Sequence, residues 1–270
     1  MTLFSTSFWS AVATVLRLAS LLIIAKVLAQ TGGPMAVAMF GQFQNFLIVV
    51  VGLSGVLFRT GIVKYAAEYR EQPKQLVGLF ATVLRVAGGI TILGSLLLLL
   101  FHKAIAIWLM GQIELAPLFL LAGVVLPLMV INGLALGLLN GMGHIKHYLI
   151  INASVALISM LAILFIVYFM DVSWALYGLL IGPVITGGIA TYFVVHMHRK
   201  IILESLKHSL DFVWAKNIGR FAAMSLVMLL MSPLVQIGVR NEIIGQLGWV
   251  EAGYWQAVWQ VSNAYLAVIT

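Results

Sequence analysis

Eight stretches of this chain are each about as long and as apolar as a helix that crosses a lipid bilayer. They run at roughly 3–29, 36–63, 76–101, 115–140, 148–170, 174–198, 218–240 and 250–270. A crossing takes about 20 mostly apolar residues, because each adds about 1.5 Å across a hydrocarbon layer of about 30 Å. Turn chemistry separates them, as in Thr31-Gly32-Gly33-Pro34 and Glu71-Gln72-Pro73. Of the 270 residues, 63% are hydrophobic and 9% charged, and the mean hydropathy is +1.10. A soluble domain carries nearer a quarter charged residues and has nowhere to bury so much apolar surface, so lipid must be the solvent. The expected fold class is therefore all-α: a polytopic transmembrane bundle of about eight helices. A soluble enzyme, a secreted disulfide scaffold and a disordered chain are excluded. The chain has no cysteine, which removes disulfides and thiolate metal sites. The first apolar stretch is too long for the core of a cleaved signal and reads as a retained helix.

Charge sets the expected orientation. Connections after the second, fourth and sixth stretches carry Lys64, Arg70, Lys74, Lys146, Arg199, Lys200, Lys207, Lys216 and Arg220. The other connections carry only Lys103 and Arg240, together with the acids Glu114, Asp171, Glu242 and Glu251. Lys and Arg favour the cytoplasmic side, which places the N-terminus in the cytoplasm. The net charge of +7 thus reports topology rather than a nucleic-acid partner. Between Arg199 and Gly219, Ile202, Leu206, Leu210 and Val213 recur at helical spacing, opposite Lys200, Glu204, Lys207 and Asp211. This predicts an amphipathic cytoplasmic linker helix on the membrane surface.

No phosphate-binding loop, HExxH or GxSxG motif is present, so no catalytic residue, cofactor or metal is expected. His144 and His147, and His196 and His198, read as polar residues at headgroup level. The informative residues are cations inside apolar stretches. Arg17 lies near the middle of the first, Arg85 about ten residues into the third, Arg59 near the inner end of the second and Lys26 near the outer end of the first. A charge at the bilayer centre costs at least about 2.5 kcal/mol, so it normally faces a cavity or a partner. Ser7, Ser10, Thr14, Arg17 and Ser20 share one helical face. Polar faces recur in Gln42, Asn45 and Arg59, in Thr82 and Arg85, in Ser225, Ser232, Gln236 and Arg240, and in Gln256, Gln260 and Asn263. Five such faces can enclose a water-filled cavity. Lys26 is about 180° from Arg17 on a straight helix, so the two do not share one face. No Asp or Glu lies within the first seven stretches, so an anionic cargo such as a phosphate or pyrophosphate is the natural partner of these cations.

Gly133, Gly137 and Gly141 recur every four residues and invite close helix packing, and Pro127, Pro183 and Pro233 fall inside apolar stretches. An offset of 214 residues places Lys26 on Arg240, Ala38 on Ala252, Phe40 on Tyr254 and Gln42 on Gln256. Topology-preserving repeats are a transporter design. The repeat and the abrupt apolar end at Thr270 lead to the expectation of a truncated chain. Its expected parts are a six-helix lobe (1–198), the cytoplasmic linker (199–217) and the first two helices of a second lobe (218–270).

Several runs carry a family resemblance: Ala25-Lys26-Val27-Leu28-Ala29 before Gly33-Pro34, Gly41-Gln42-Phe43-Gln44-Asn45, the run from Arg59 to Tyr69, Gln72-Pro73, Tyr254-Trp255-Gln256, Ser262-Asn263-Ala264-Tyr265-Leu266 and Ile269-Thr270. The chain resembles the bacterial O-antigen and enterobacterial-common-antigen flippases of the multidrug/oligosaccharidyl-lipid/polysaccharide (MOP) exporter superfamily. That resemblance implies about twelve helices in two lobes around a V-shaped cationic cavity. It also implies transfer of undecaprenyl-pyrophosphate-linked oligosaccharide from the inner to the outer leaflet of the bacterial inner membrane. Lys64, Tyr65, Ala67 and Tyr69 match the family's K-Y-x-A-x-Y run. Asn263 stands where the family often has an acid before Ala-Tyr-Leu.

The expected substrate-binding cations are Arg17, Arg59, Arg85, Lys26, Lys64 and Arg240. The expected polar lining is Ser10, Thr14, Gln42, Asn45, Gln256, Gln260 and Asn263. Expected partners are the lipid-linked oligosaccharide, membrane lipid, a polysaccharide polymerase and a chain-length regulator. An ion-coupled drug exporter of the same superfamily is the alternative, though it would want intramembrane acids. A glycan polymerase or acyltransferase ranks below that, because the outer connections are short.

Overall fold

At Gly33 the backbone takes φ 68° and ψ −171°, a combination that side-chain-bearing residues avoid. In the computed structural model, which describes residues 3–269 and the side chains of 8–266, this residue folds the longest helix in two. The side chain of Ser7 and residue Thr270 lie outside the described set. Helix α1 (Leu3–Ser54) is 52 residues long, far more than one crossing needs. Its arms, 3–32 and 34–54, run side by side: Arg17, Ser20 and Ile24 of the first share one cavity with Phe40, Leu47 and Val51 of the second. Pro34 opens the second arm, where its missing N–H costs nothing.

The second arm stops at Ser54, and a short 3₁₀ turn (Val56–Phe58) hands the chain to α2 (Arg59–Glu68). The second apolar stretch is therefore not one continuous helix. Val130 of the fourth stretch occupies the space that a Cβ on Gly55 would need. The chain continues as α3 (Pro73–Met110), α4 (Ala116–Gly141), α5 (Ile145–Phe169), α6 (Gly178–Lys207), α7 (Phe212–Gln246) and α8 (Trp249–Ile269). Among the described residues six helical segments, the folded α1 among them, are long and apolar enough to cross a membrane, and α8 at 21 residues has the length of one crossing. The all-α transmembrane bundle is thus the observed architecture.

The expected linker helix over 199–217 is two helix ends instead. Residues 199–207 prolong α6 beyond a distortion at His198 (φ −125°, ψ 31°). The side chain of Asp211 then accepts from the Val213 N–H at 2.8 Å and caps α7. The backbone leaves the helical path at Ser209 and Leu210, so the amphipathic spacing spans a break.

The glycine stripe explains how the bundle closes. A Cβ on Gly133 would meet Val56, one on Gly137 would meet Arg59, and one on Gly141 would meet Val63 and Ala66. The partners rise in step along both segments, so α4 lies parallel to the second arm and α2. Two apolar clusters result. One packs Ile24, Leu28, Phe40, Phe43, Leu109, Phe119 and Leu176. In it Phe119 meets Phe43 and Phe46 edge-on at 5.5 and 5.2 Å, each contact worth about 1 kcal/mol beyond area. The other packs Ile62, Leu76, Leu79, Leu139, Trp214 and Ile218. The first lies at the end of the bundle holding Gly33, Gly111 and Gly248. The second lies at the basic end, with the turns around Arg70, His144 and His208.

Candidate functional site

Between the two apolar clusters lies a cavity of about 420 Å³. Arg17 and Ser20 of the first arm, Gln44 of the second arm, Arg59 at the start of α2, Asn132 of α4, and Asn152 and Ser159 of α5 contribute its polar atoms. The rest of the wall is mostly apolar, including Leu47, Val51, Met129 and Leu136. None of the described lining residues is Asp or Glu. Arg17 reaches the cavity from an exposed position on the first arm, and Ser20 on the same face is buried. Arg59 sits here because the break after Ser54 swings the start of α2 over Gly137.

Arg59 donates from Nη2 to the Tyr148 hydroxyl at 3.0 Å, and its guanidinium lies 5.5 Å from the Tyr148 ring centre. Both contacts orient the group and leave its charge unneutralised. Asn132 is 6% exposed, and its Oδ1 has no hydrogen-bond partner. An unpartnered amide oxygen in a low-dielectric wall is costly unless a ligand or water meets it. The cavity joins a second hollow that shares Val56, Arg59 and Leu229 and adds Thr60, Lys64 and Ser225. Lys64 lies 4.9 Å from the Tyr65 ring centre and 4.8 Å from that of Phe221. The three cations Lys64, Arg59 and Arg17 therefore mark a path from the basic end into the bundle.

Other expected site residues are placed elsewhere. Arg85 is exposed and donates to the Ala81, Ser205 and Leu206 carbonyls, which ties α3 to the end of α6. Lys26 is exposed and is not among the cavity-lining residues. Arg240 is fully buried toward the Gly33 end, where it donates to the side-chain oxygens of Gln42 and Gln256. Asn45 donates to Gln236 at 3.2 Å. Gln42, Asn45 and Gln256 thus hold helices together rather than line the cavity. Ser10 and Asn263 are exposed, Thr14 is half-buried, and the half-buried Gln260 has unpartnered amide atoms.

The sequence reading missed Asn132, Asn152, Gln44 and Tyr148. Asn132 is a lone polar residue in an apolar run, a signal that an intramembrane polar census would have registered. It also missed that the two histidine pairs meet: His144 and His198 share a hydrogen bond between their Nε2 atoms at 3.1 Å. Among the described residues no group of three or more His, Asp or Glu is placed to hold a metal.

No family model matches the chain. Over its full length it is 28% identical to the lipid III flippase of Escherichia coli (strain K12), and equally to that of Shigella flexneri. The alignment covers 65% of those proteins, so the chain spans about two thirds of the length of the curated relatives it matches. Among solved structures, a multidrug-resistance MATE-family transporter of the MOP superfamily, solved inward-facing, superposes with a TM-score of 0.74 at 17% identity. That match takes in 93% of this chain and 58% of the other. A MOP-superfamily transporter from Pyrococcus furiosus, described as having a binding pocket of reversed polarity, gives a TM-score of 0.62 at 15% identity, over 94% and 60%. The chain has the multi-pass helical fold of MOP-superfamily transporters. The relatives it matches are flippases and transporters rather than enzymes.

Proposed function

We propose that the chain is the first lobe and the start of the second lobe of a lipid-linked oligosaccharide flippase. Its cargo is an undecaprenyl-pyrophosphate-linked repeat unit of the O-antigen or enterobacterial-common-antigen kind. The observation that carries this reading is a cavity with two arginines and no lining carboxylate. A pyrophosphate brings the missing negative charge, and a guanidinium can hold it through two parallel hydrogen bonds. Asn132, Asn152 and Gln44 offer donors and acceptors to a sugar, while the polyprenyl tail stays in the bilayer. Lys64 and Arg59 receive the headgroup at the basic end, which the charge distribution assigns to the cytoplasm. The protein then sits in the bacterial inner membrane with its N-terminus inside, in lobes 1–198 and 218 onward joined by 199–217. A polysaccharide polymerase and a chain-length regulator receive the product. The full-length match to lipid III flippases supports the same cargo class.

In the complete protein, Arg17→Ala and Arg59→Ala are each expected to cut transport by about tenfold or more, the loss of one charge-assisted pair. Rescue of surface-glycan assembly in a flippase-null strain measures it. Full rescue by a normally expressed Arg17→Ala, Arg59→Ala double variant overturns the reading.

A further inference from the structure

Arg240 is the largest fully buried side chain described, and its two terminal nitrogens point to different helices. Nη1 donates to Gln42 of the second arm, and Nη2 donates to Gln256 of α8. Gln42 is held in that orientation because its own Nε2 donates to Asn241 at 2.6 Å and contacts the Leu109 carbonyl at 3.5 Å. The Trp255 ring centre lies 5.5 Å from the guanidinium carbon, and Nε has no partner. Every acceptor is a neutral amide. The two glutamines are also the residues that the 214-residue offset superposes, so one cation is shared between equivalent positions of the two repeats.

The surroundings are built for close approach. A Cβ on Gly41 would strike the Gln256 side chain, and one on Gly253 would strike the Pro34 carbonyl. The cluster lies toward the Gly33 end, level with the apolar residues Phe40, Phe43 and Met110, whereas the cavity reaches toward the basic end through Arg59 and Lys64. A charge buried with acceptors only from neutral amides is held firmly enough to order three helices. It is also held loosely enough to part, because a carboxylate partner would bind it far more strongly.

We infer that Arg240, Gln42 and Gln256 form a releasable latch that keeps the Gly33 end of the transport pathway shut. This rests on the reading above, in which α7 and α8 belong to a second lobe that moves against the first. Opening that end separates Gln42 from Arg240 and Gln256.

The absence of cysteine in this chain makes a direct test available. In the complete protein, freed of any further cysteine, Leu47→Cys places a reporter thiol in the cavity wall. A membrane-impermeant maleimide applied from the non-cytoplasmic side labels it only when the Gly33 end opens. Combining Gln42→Leu with Gln256→Leu removes both acceptors and is expected to raise labelling by at least about tenfold, the shift that even one such hydrogen bond carries. Gln256→Glu, which gives Arg240 a carboxylate, is expected to lower it by a similar factor, and Gln42→Glu serves if that variant misfolds. Labelling from the cytoplasmic side reports that each variant is folded. Unchanged labelling, or a shift in the same direction for the Leu and Glu variants, overturns the latch. The readout does not depend on cargo. A protein that labels as expected yet fails glycan rescue counts against the flippase reading alone.

Discussion

A guanidinium inside a bilayer needs acceptors, and the acceptors decide what it does. Arg85 spends its donors on the last carbonyls of α6, where the helix dipole also favours a cation. Arg240 spends its donors on two amides and is sealed from solvent. Arg59 bonds only a tyrosine hydroxyl and faces the cavity, which leaves its charge for a ligand. The histidines show the same dependence on partners. Burial, followed by the charges of His147 and Arg70, pushes the His144 imidazole below its ordinary value of 6.5. The folded protein therefore favours neutral His144 and binds fewer protons there than the unfolded chain. Its contribution is complete above about pH 6.5 and is lost as pH falls through the lower folded value. The melting temperature of the detergent-solubilised protein is expected to drop between about pH 7 and pH 5. His144→Gln is expected to flatten that drop, and a melting series on both proteins across the range checks it.

At the scale of elements, small residues and aromatic rings set which helices touch. Tyr65 of α2 and Tyr69, which caps it, meet Trp214 of α7 at 5.2 and 5.5 Å, both edge-on. Part of the K-Y-x-A-x-Y run is thus a brace between α2 and α7, while its Lys64 turns to the hollow. On the opposite side of α2, Gly141 admits the Val63 backbone, with the Val63 carbonyl 2.9 Å from where a Cβ would sit. Backbone cannot yield as a flexible side chain does. Gly141→Val is therefore expected to cost about 1–3 kcal/mol by overpacking. It should also displace Arg59, four residues before Val63 on the same helix. Thermal unfolding measures the first effect and glycan rescue the second. The stripe was legible in the sequence, since glycines four apart fall on one face. Its partner was not, because nothing in the spacing distinguishes the second arm from any other helix.

For the whole molecule, the second arm and α2 together pair antiparallel with α7 along most of their length. The contacts run from Gln42 with Arg240, through Asn45 with Gln236, to Thr60 with Ser225 at 3.1 Å. A transporter that opens at one end at a time has to loosen this seam at both ends in turn. Thr60→Cys with Ser225→Cys is expected to cross-link under mild oxidant and to stop transport until reductant is added. Gel mobility after cleavage at a protease site inserted near Ser209 reads the bond, and glycan rescue reads the activity. Much of this architecture was written in the chain. The apolar runs named the solvent, the eight stretches located the helices though not their ends, and Arg59 and Arg17 stood out as cations on polar faces. Length and transfer energy fix such features residue by residue, without reference to neighbours. Only the tertiary structure decided which cations share the cavity, because that depends on the fold-back at Gly33, the break after Ser54 and the rotation of each helix against the next. It sent Arg85 to a helix end and Arg240 into a cage of amides. It also brought His144 to His198 across 54 residues, for the same reason: a side chain's acceptors come from whichever helix packs beside it.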